Sequence, residues 1–492
     1  MLRILLFLFV VTESTSNRAR PNIVLILTDD QDLLLQSMTV MDSVQQRIVD
    51  EGATFVNFFV NSPICCPSRS TILTGKYPHN TGVRNNSISG NCSSGYWQKY
   101  HEPRSFVSLL KTRANYTNFY AGKYLNTYGD RKNGGVKHVP DGYDWWIGLQ
   151  GNSKYYNYTL SINGTGRHFT NEYLTDVMKN YALSFLNQQQ IQRDPFFMML
   201  ATPACHQPFT PAPRHRHKFP DLKVLRTPSF NYSDDNRHWL IRMPPKYLPA
   251  DVAIMDDIQR KRYQTLLAVD ELVSEVVAKL DEISVLDDTY IMFTSDNGYH
   301  IGQFVQAWDK RQPYETDLRV PFFIRGPLIK SKRTMYQPVS TIDIAPTILS
   351  IAGIKTPNDM DGRSFYKNLV KGIDNKNGDI LIEYHGESNL KTIDYRCPWV
   401  NDKGVSQCTL ESWCKCQDSR NNTYACVRRF APEVNFKFCK FFDEENFIEA
   451  YDLQSDPSEL HNIYELLKSN DIGEYTKVIN LLEKCSGKVC NG

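Results

Sequence analysis

The sequence predicts an α/β fold: three layers around a largely parallel central sheet, followed by a smaller disulfide-rich α+β region at the C-terminus. Three observations carry this. Asn22-Ile-Val-Leu-Ile-Leu-Thr28 is a continuous apolar run closed by Asp29 and Asp30, the signature of a strand buried on both faces of a parallel sheet. Tyr290-Ile-Met-Phe-Thr294 repeats it and closes on Ser295, Asp296, Asn297 and Gly298. Between these runs lie helical patterns, and strands alternating with helices argue a three-layer arrangement.

In chain order, Met41, Val44 and Ile48 before Gly52 predict an amphipathic helix, as do Leu266, Val269, Val273, Val276 and Leu280 at helical spacing. Pro195–Leu200 and Val320–Ile324 fit further strands, and Asp343–Ala352, stopped by Gly353, a closing helix. From about 205 to 260 the density of Pro, Arg and His reads as long surface loops. The polar stretch Asp374–Asp379 is a linker candidate, which divides the chain into 17–375 and 376–492. No internal repeat or low-complexity tract is present.

Arg3 precedes the apolar run Ile4–Val11, and small residues follow at Ser14 and Ser16. This predicts a signal peptide over 1–16. The run is too short to span a bilayer, and no later stretch is long enough, so no stable membrane insertion is expected. Seven N-x-[ST] sequons, at Asn85, Asn91, Asn115, Asn157, Asn163, Asn231 and Asn421, agree with a secretory route. Of twelve cysteines, eight follow residue 396: Cys397, Cys408, Cys414, Cys416, Cys426, Cys439, Cys485 and Cys490. In an oxidising compartment they read as disulfides; a zinc site from Cys408, Cys414, Cys416 and Cys426 is the competing reading. Lys and Arg total 56 against 54 Asp and Glu, so no global field would hold nucleic acid, and an anionic substrate must be caught locally.

Ligands of open parallel sheets collect beyond the carboxyl ends of the strands, where Asp29, Asp30, Asp296 and Asn297 sit. Oxygen donors alone suit calcium or magnesium better than zinc. The bland alternative is a helix cap and a turn, but adjacent carboxylates repel unless something cationic lies between them.

Cys65-Cys66-Pro67-Ser68-Arg69, followed by Ser70-Thr-Ile-Leu-Thr-Gly75, matches C-x-P-S-R-x-x-x-L-T-G at every fixed position, and the chain thereby resembles the sulfatase family with its alkaline phosphatase-like fold. A plain disulfide at a helix start is the competing reading of Cys65, and a P-loop reading of Gly75-Lys76 fails at Ser70 and Tyr77. The resemblance implies that Cys65 is oxidised to formylglycine by the formylglycine-generating enzyme during maturation. A hydrated aldehyde bears two hydroxyls on one carbon: one attacks sulfur, and loss of a proton from the other re-forms C=O and ejects sulfate without a second substitution. The resemblance further implies that Arg69 holds the hydrated aldehyde and that Lys123 and Lys310 contact sulfate. It implies too that His206 protonates or orients the leaving oxygen, and that Asp29, Asp30, Asp296, Asn297 and an oxygen of converted Cys65 hold one Ca2+. The sequence departs from the family twice. Leu125, followed by Asn126, stands where many members place a histidine that takes the aldehyde's proton, so His300 is considered as the base; and Cys205 replaces the usual proline before His206.

Segments such as AGKYLN, NSKYYNYTLSING, FFMMLATPA, HWLIR, TSDNGYHIGQF and NNTYACVR resemble the branch of the family that removes the 6-sulfate of N-acetylglucosamine from the ends of heparan and keratan sulfate. That implies sulfated glycosaminoglycan fragments as partners and the lysosomal lumen as destination, with secretion the alternative. Heparan 6-O-endosulfatases share several segments but carry a long basic insert with no counterpart here. A phosphatase of the related group would want a Ser or Thr nucleophile and a histidine-rich two-metal site. A non-catalytic glycan-binding relative would be expected to lack Cys65 or a metal ligand.

Overall fold

The first strand, β1 (Asn22–Thr28), is buried at all seven positions, and its alternate residues feed opposite cores. Ile23, Leu25 and Leu27 pack with Ile72 and Ile348 on one face; Val24 and Ile26 pack with Val177, Leu266 and Val273 on the other. This is why the run lacks alternation in sequence. The protein is described from a computed structural model covering residues 20–188, 191, 193–389, 391–395, 397, 404–409 and 414–491. The predicted signal peptide, 1–16, lies outside the described residues.

The central sheet has ten strands: β1, β2 (Ala53–Phe55), β3 (Thr117–Lys123), β4 (Trp145–Leu149), β5 (Tyr158–Ile162), β6 (Thr165–Phe169), β7 (Phe196–Ala201), β8 (Thr289–Ser295), β9 (Phe322–Arg325) and β10 (Arg333–Met335). Their order is β10-β2-β9-β8-β1-β7-β3-β4-β5-β6. The middle five, β8-β1-β7-β3-β4, are parallel. β9 runs antiparallel to β8 and β2, and the β5–β6 hairpin completes the far edge. One face is covered by α1 (Cys65–Thr74), α2 (Phe106–Ala114) and α5 (Ile344–Ile351), the other by α3 (Leu174–Leu186) and α4 (Ala253–Glu282).

Thr28 pairs with Ser295 and Leu27 with Ala201. That register delivers Asp29-Asp30, Asp296-Asn297 and the loop from Thr202 to one end of the sheet, side by side. α1 is buried at all ten positions, so it shows no polar stripe, and it starts at Cys65 beneath the same sheet end. Its C-cap Gly75 sits at φ +66°, a left-handed conformation that glycine adopts freely.

Two sequence expectations change. Met41, Val44 and Ile48 are buried as expected, but only Asp42–Val44 is α-helical, and Gln45–Val49 widens to a π-turn with Asp50 N donating to Gln45 O at 2.9 Å. The segment 205–260 is irregular apart from short helical turns, as at Trp239–Arg242, until α4 begins at Ala253, and its middle is anchored inward. Arg237 is 1% exposed, held by the Tyr451 hydroxyl at 2.9 Å and flanked by the Phe304 ring.

The C-terminal region contains β11 (Gly378–Tyr384), β12 (Val405–Thr409), β13 (Lys415–Ser419), β14 (Tyr424–Ala431), β15 (Val434–Phe441) and β16 (Ile448–Asp452). β11-β14-β15-β16 form an antiparallel sheet, and β12-β13 a separate ribbon. Disulfides join Cys408 to Cys416 across the ribbon, Cys426 to Cys439 across the sheet, and Cys485 to Cys490 in the tail. The zinc reading is thereby excluded: Cys408, Cys416 and Cys426 are all disulfide-bonded. A fourth disulfide, Cys66–Cys92, lies in the body.

The tail is fastened by His79. Its Nδ1 lies 2.9 and 2.8 Å from the Glu383 carboxylate oxygens and its Nε2 2.9 Å from the Cys485 carbonyl. Both partners are acceptors, so both ring nitrogens carry hydrogen and the imidazole is cationic. Burial pulls its pKa down, but Glu383 outweighs burial and the net shift is upward. A raised pKa contributes stability that is complete below the unfolded value near 6.5 and is lost as pH rises through the folded value. The difference in Tm between wild type and His79→Ala is therefore expected to be large at pH 5.5 and to shrink by pH 8.5. A difference that stays constant across that range contradicts the ion pair.

Candidate active site

Cys65, the first residue of α1, is fully buried, with Sγ 3.6 Å from Asp29 Oδ1. Burial pushes its thiol up to about 12, against the pull of Lys123 and Lys310, so at physiological pH it is no thiolate nucleophile. Cys66, next to it, is taken by the disulfide to Cys92, and its backbone N–H donates to Asn86 Oδ1 at 2.9 Å.

Around Cys65 the predicted residues converge. Lys123, the last residue of β3, donates to Asp29 Oδ2 at 2.7 Å, and Lys310 donates to both Asp30 oxygens at 2.7 and 2.6 Å. Arg69 lies one helical turn beyond Cys65. Its Nε donates to Asp296 Oδ2 at 2.7 Å and its Nη1 to the Lys123 carbonyl at 2.6 Å. Asp296 Oδ1 accepts from the Asp30 backbone N–H at 3.1 Å, and Asn297 Nδ2 donates to Asp30 Oδ1 at 2.8 Å. His206 places Nε2 3.8 Å from Asp30 Oδ2, while its Nδ1 faces the Gln207 carbonyl at 2.5 Å. Nδ1 therefore carries the proton in the neutral ring, leaving Nε2 toward the site.

The electrostatics are those of a crowded, dry charge cluster. Burial opposes ionisation of Asp29, yet the cations Lys123 and Arg69 beside it hold it well below the usual carboxylate range. Asp296 goes the other way: burial and Asp29 push it up to about 6. Burial and Lys310 push His206 down to about 4, so the imidazole is neutral until an anion arrives. Ligand atoms of Asp29, Asp30, Cys65 and His206 all lie within 4.8 Å of one another.

The cluster forms the floor of a cavity of about 710 Å³, reached by Asp30, His206 and Lys310. Its walls come from the 85–87 loop, Asn126–Thr127, Gly151–Asn152, Trp308–Arg311, Glu387 and β12.

Sequence reasoning missed Ser153, whose hydroxyl donates to Asp29 Oδ2. A serine in a loop 124 positions from its partner carries no local signal beyond the resemblance of the segment containing it. It also missed Arg262, fully buried, which donates to the Asp30 carbonyl at 2.9 Å and to Asp32 Oδ1 at 2.6 Å and so fixes the backbone that follows Asp29-Asp30. The proposal that His300 is the base is overturned. Its Nδ1 bonds Asp317 at 2.9 Å and its Nε2 meets Gln417 Oε1 at 2.9 Å, so neither nitrogen is available to Cys65. Leu125 is fully buried in the core and Cys205 is a buried thiol outside any disulfide, with Sγ 3.5 Å from the Asp30 carbonyl.

A buried ring of cations around one reactive position, at the carboxyl ends of parallel strands and open to a polar cavity, defines a hydrolase for esters of tetrahedral oxyanions. The sulfatase family profile matches residues 21–354. The chain is 46% identical over 479 residues, 96% of its length and 86% of the relative's, to N-acetylglucosamine-6-sulfatase of Homo sapiens. It is 40% identical over 384 residues to an extracellular sulfatase SULF-1 homolog of Drosophila melanogaster, covering 76% of this chain but 34% of that protein. A solved structure of a protein in complex with its substrate D-glucosamine-2-N,6-O-disulfate superposes with a TM-score of 0.72 at 24% identity, over 94% of this chain and 98% of that one. The chain belongs to the sulfatase family.

Proposed function

We propose that the protein removes the 6-O-sulfate of N-acetylglucosamine residues at the ends of glycosaminoglycan chains. The observation that carries this is the 46% identity to an N-acetylglucosamine-6-sulfatase over 96% of the chain, and the residues that this reading assigns to sulfate handling gather around Cys65. In this reading residues 17–375 form the catalytic unit, 376–492 the cysteine-rich one, and the protein works in the lysosomal lumen.

Cys65 in this reading is formylglycine, whose hydrate supplies an oxygen nucleophile and a second hydroxyl through which sulfate is later expelled. A divalent cation fits the surrounding donors. Asn297 Oδ1 is buried without a hydrogen-bond partner, while Nδ2 of the same amide is tied to Asp30, so the dry cluster holds an acceptor that a cation would satisfy. Asp29, Asp30, Asp296, Asn297 and an oxygen on converted Cys65 would hold one Ca2+, which would polarise the sulfuryl group as a Lewis acid. Lys123 and Lys310 neutralise the remaining sulfuryl charge. Arg69, locked to Asp296 and the Lys123 carbonyl, holds the nucleophilic residue in place. His206 Nε2 gives a proton to the sugar oxygen as the ester bond breaks; the anionic substrate supplies the field that raises its affinity for that proton.

The test is sulfate release from N-acetylglucosamine 6-sulfate compared with intact heparin. Release from the monosaccharide is expected; release from heparin alone would replace this reading by the endosulfatase one. Chelation is expected to reduce release by more than about tenfold and to lower Tm, with calcium restoring both. Full activity after exhaustive chelation excludes the metal.

A further inference from the structure

The cavity wall formed by β12 is foreign to the α/β sheet, and its construction is unusual. The ribbon register pairs Val405 with Ser419, Ser406 with Asp418, Cys408 with Cys416 and Thr409 with Lys415, and skips the rung at Gln407. Gln407 sits at φ +54°, a left-handed conformation that costs a non-glycine residue on the order of 1 kcal/mol and persists where surrounding structure enforces it. Its side chain is exposed, lines the cavity, and makes no hydrogen bond among the described residues.

What enforces that conformation is β13, which is buried along its whole length and clamped at successive positions. Lys415 Nζ donates to the carbonyls of Ile241 at 2.9 Å and Met243 at 2.6 Å. The Gln417 carbonyl accepts from Gln312 Nε2 at 2.7 Å, and the Asp418 carboxylate accepts from the Tyr384 hydroxyl at 3.0 Å. The Cys408–Cys416 disulfide then ties β12 to this fixed strand. The scaffold is rigid, and the one residue turned out of its ladder presents a free primary amide to the cavity that His206 and Lys310 also line.

Resting on the reading of the site proposed above, we infer that Gln407 is a specificity-determining residue that reads the acetamido group of the sugar. In a hexopyranose, C5, which bears the sulfated C6 arm, and C2, which bears the acetamido group, lie across the ring from one another. With the sulfate on the floor of the cavity, the C2 substituent is directed away from it, toward walls that include β12. A neutral primary amide offers one donor and one acceptor to a neutral secondary amide, and a carboxylate or ammonium there would have to be desolvated without an ionic partner.

The experiment compares kcat/KM for N-acetylglucosamine 6-sulfate with that for glucose 6-sulfate, which has the same ester and ring but no acetamido group. Gln407→Ala is expected to reduce the preference for the acetamido substrate about tenfold, mainly through KM, the scale of one or two lost hydrogen bonds. Gln407→Asn, which keeps the amide on a shorter arm, is expected to retain part of it. An equal fall on both substrates assigns Gln407 a structural role and overturns the inference, as does an unchanged preference. Wild-type protein inactive on both sugars but active on another sulfate ester refutes the functional reading itself, a result distinct from an active enzyme whose preference ignores Gln407.

Discussion

Cys65→Ser is expected to lose turnover by a factor of about 10³ or more while retaining the fold and substrate binding. The prediction follows from the number of hydroxyls. A serine offers one, and once it has accepted the sulfuryl group it has no second hydroxyl through which to expel it. Release then needs a fresh attack at sulfur by water, the second substitution that a hydrated aldehyde avoids. Single-turnover measurement should show about one equivalent of sugar alcohol released and a mass increase on the peptide containing residue 65. An unmodified thiol cannot substitute, because burial holds Cys65 near 12. The neighbouring Cys66→Ser acts differently. It opens the disulfide to Cys92, 26 positions away, and should cost roughly 2–4 kcal/mol of stability. Sustained turnover by Cys65→Ser, or active wild-type protein carrying a free sulfhydryl at 65, refutes the mechanism.

Lys123→Ala and Lys310→Ala are each expected to reduce kcat about 10²–10³-fold with smaller changes in KM, because fixed positive charge matters most as charge builds on the sulfuryl oxygens. Burial opposes the charge on Lys310, but Asp30 outweighs it and holds the pKa well above the usual lysine value, so this ammonium stays charged across the working pH range. It contributes no limb to the pH–rate profile. Each substitution also takes the nearest cation from a buried carboxylate, Asp29 or Asp30, and removing one partner of a buried pair costs on the order of 3–5 kcal/mol. Measuring Tm with and without calcium separates the two effects: added calcium should recover part of the stability of either variant and little of its rate. Equal recovery of both would mean that the lysines serve only to balance the carboxylates.

The strands β1 and β8 are legible in the sequence because burial on both faces fills their centres with apolar residues, and the polar pair that follows each run marks the site. The constellation of Cys65, Arg69, Lys123, His206 and Lys310 is legible through a fixed motif and its resemblance, and the sheet register brings these residues together. Direction is not legible. His300 lies three positions beyond Asn297, yet its ring turns to Asp317 and Gln417, because chain proximity does not set where a side chain points. Ser153 and Arg262 act on Asp29 and Asp30 from distant loops and helices, through single contacts that leave no periodic trace. The π-turn at Gln45–Val49 keeps the buried face that the apolar spacing predicts while changing the hydrogen bonding, to which hydrophobic pattern is blind. Gln407 is invisible for the same kind of reason: a left-handed φ is announced by glycine or asparagine, and here the residue is glutamine.

Cys65 has no solvent-accessible surface and begins a helix whose every side chain is enclosed. A second enzyme could not seat that side chain in its own catalytic groove without first unpacking the helix and the sheet above it. The conversion proposed here must therefore be completed while this stretch is still an open chain, which makes activation a race between oxidation and folding. A molecule that closes first keeps its thiol and never works.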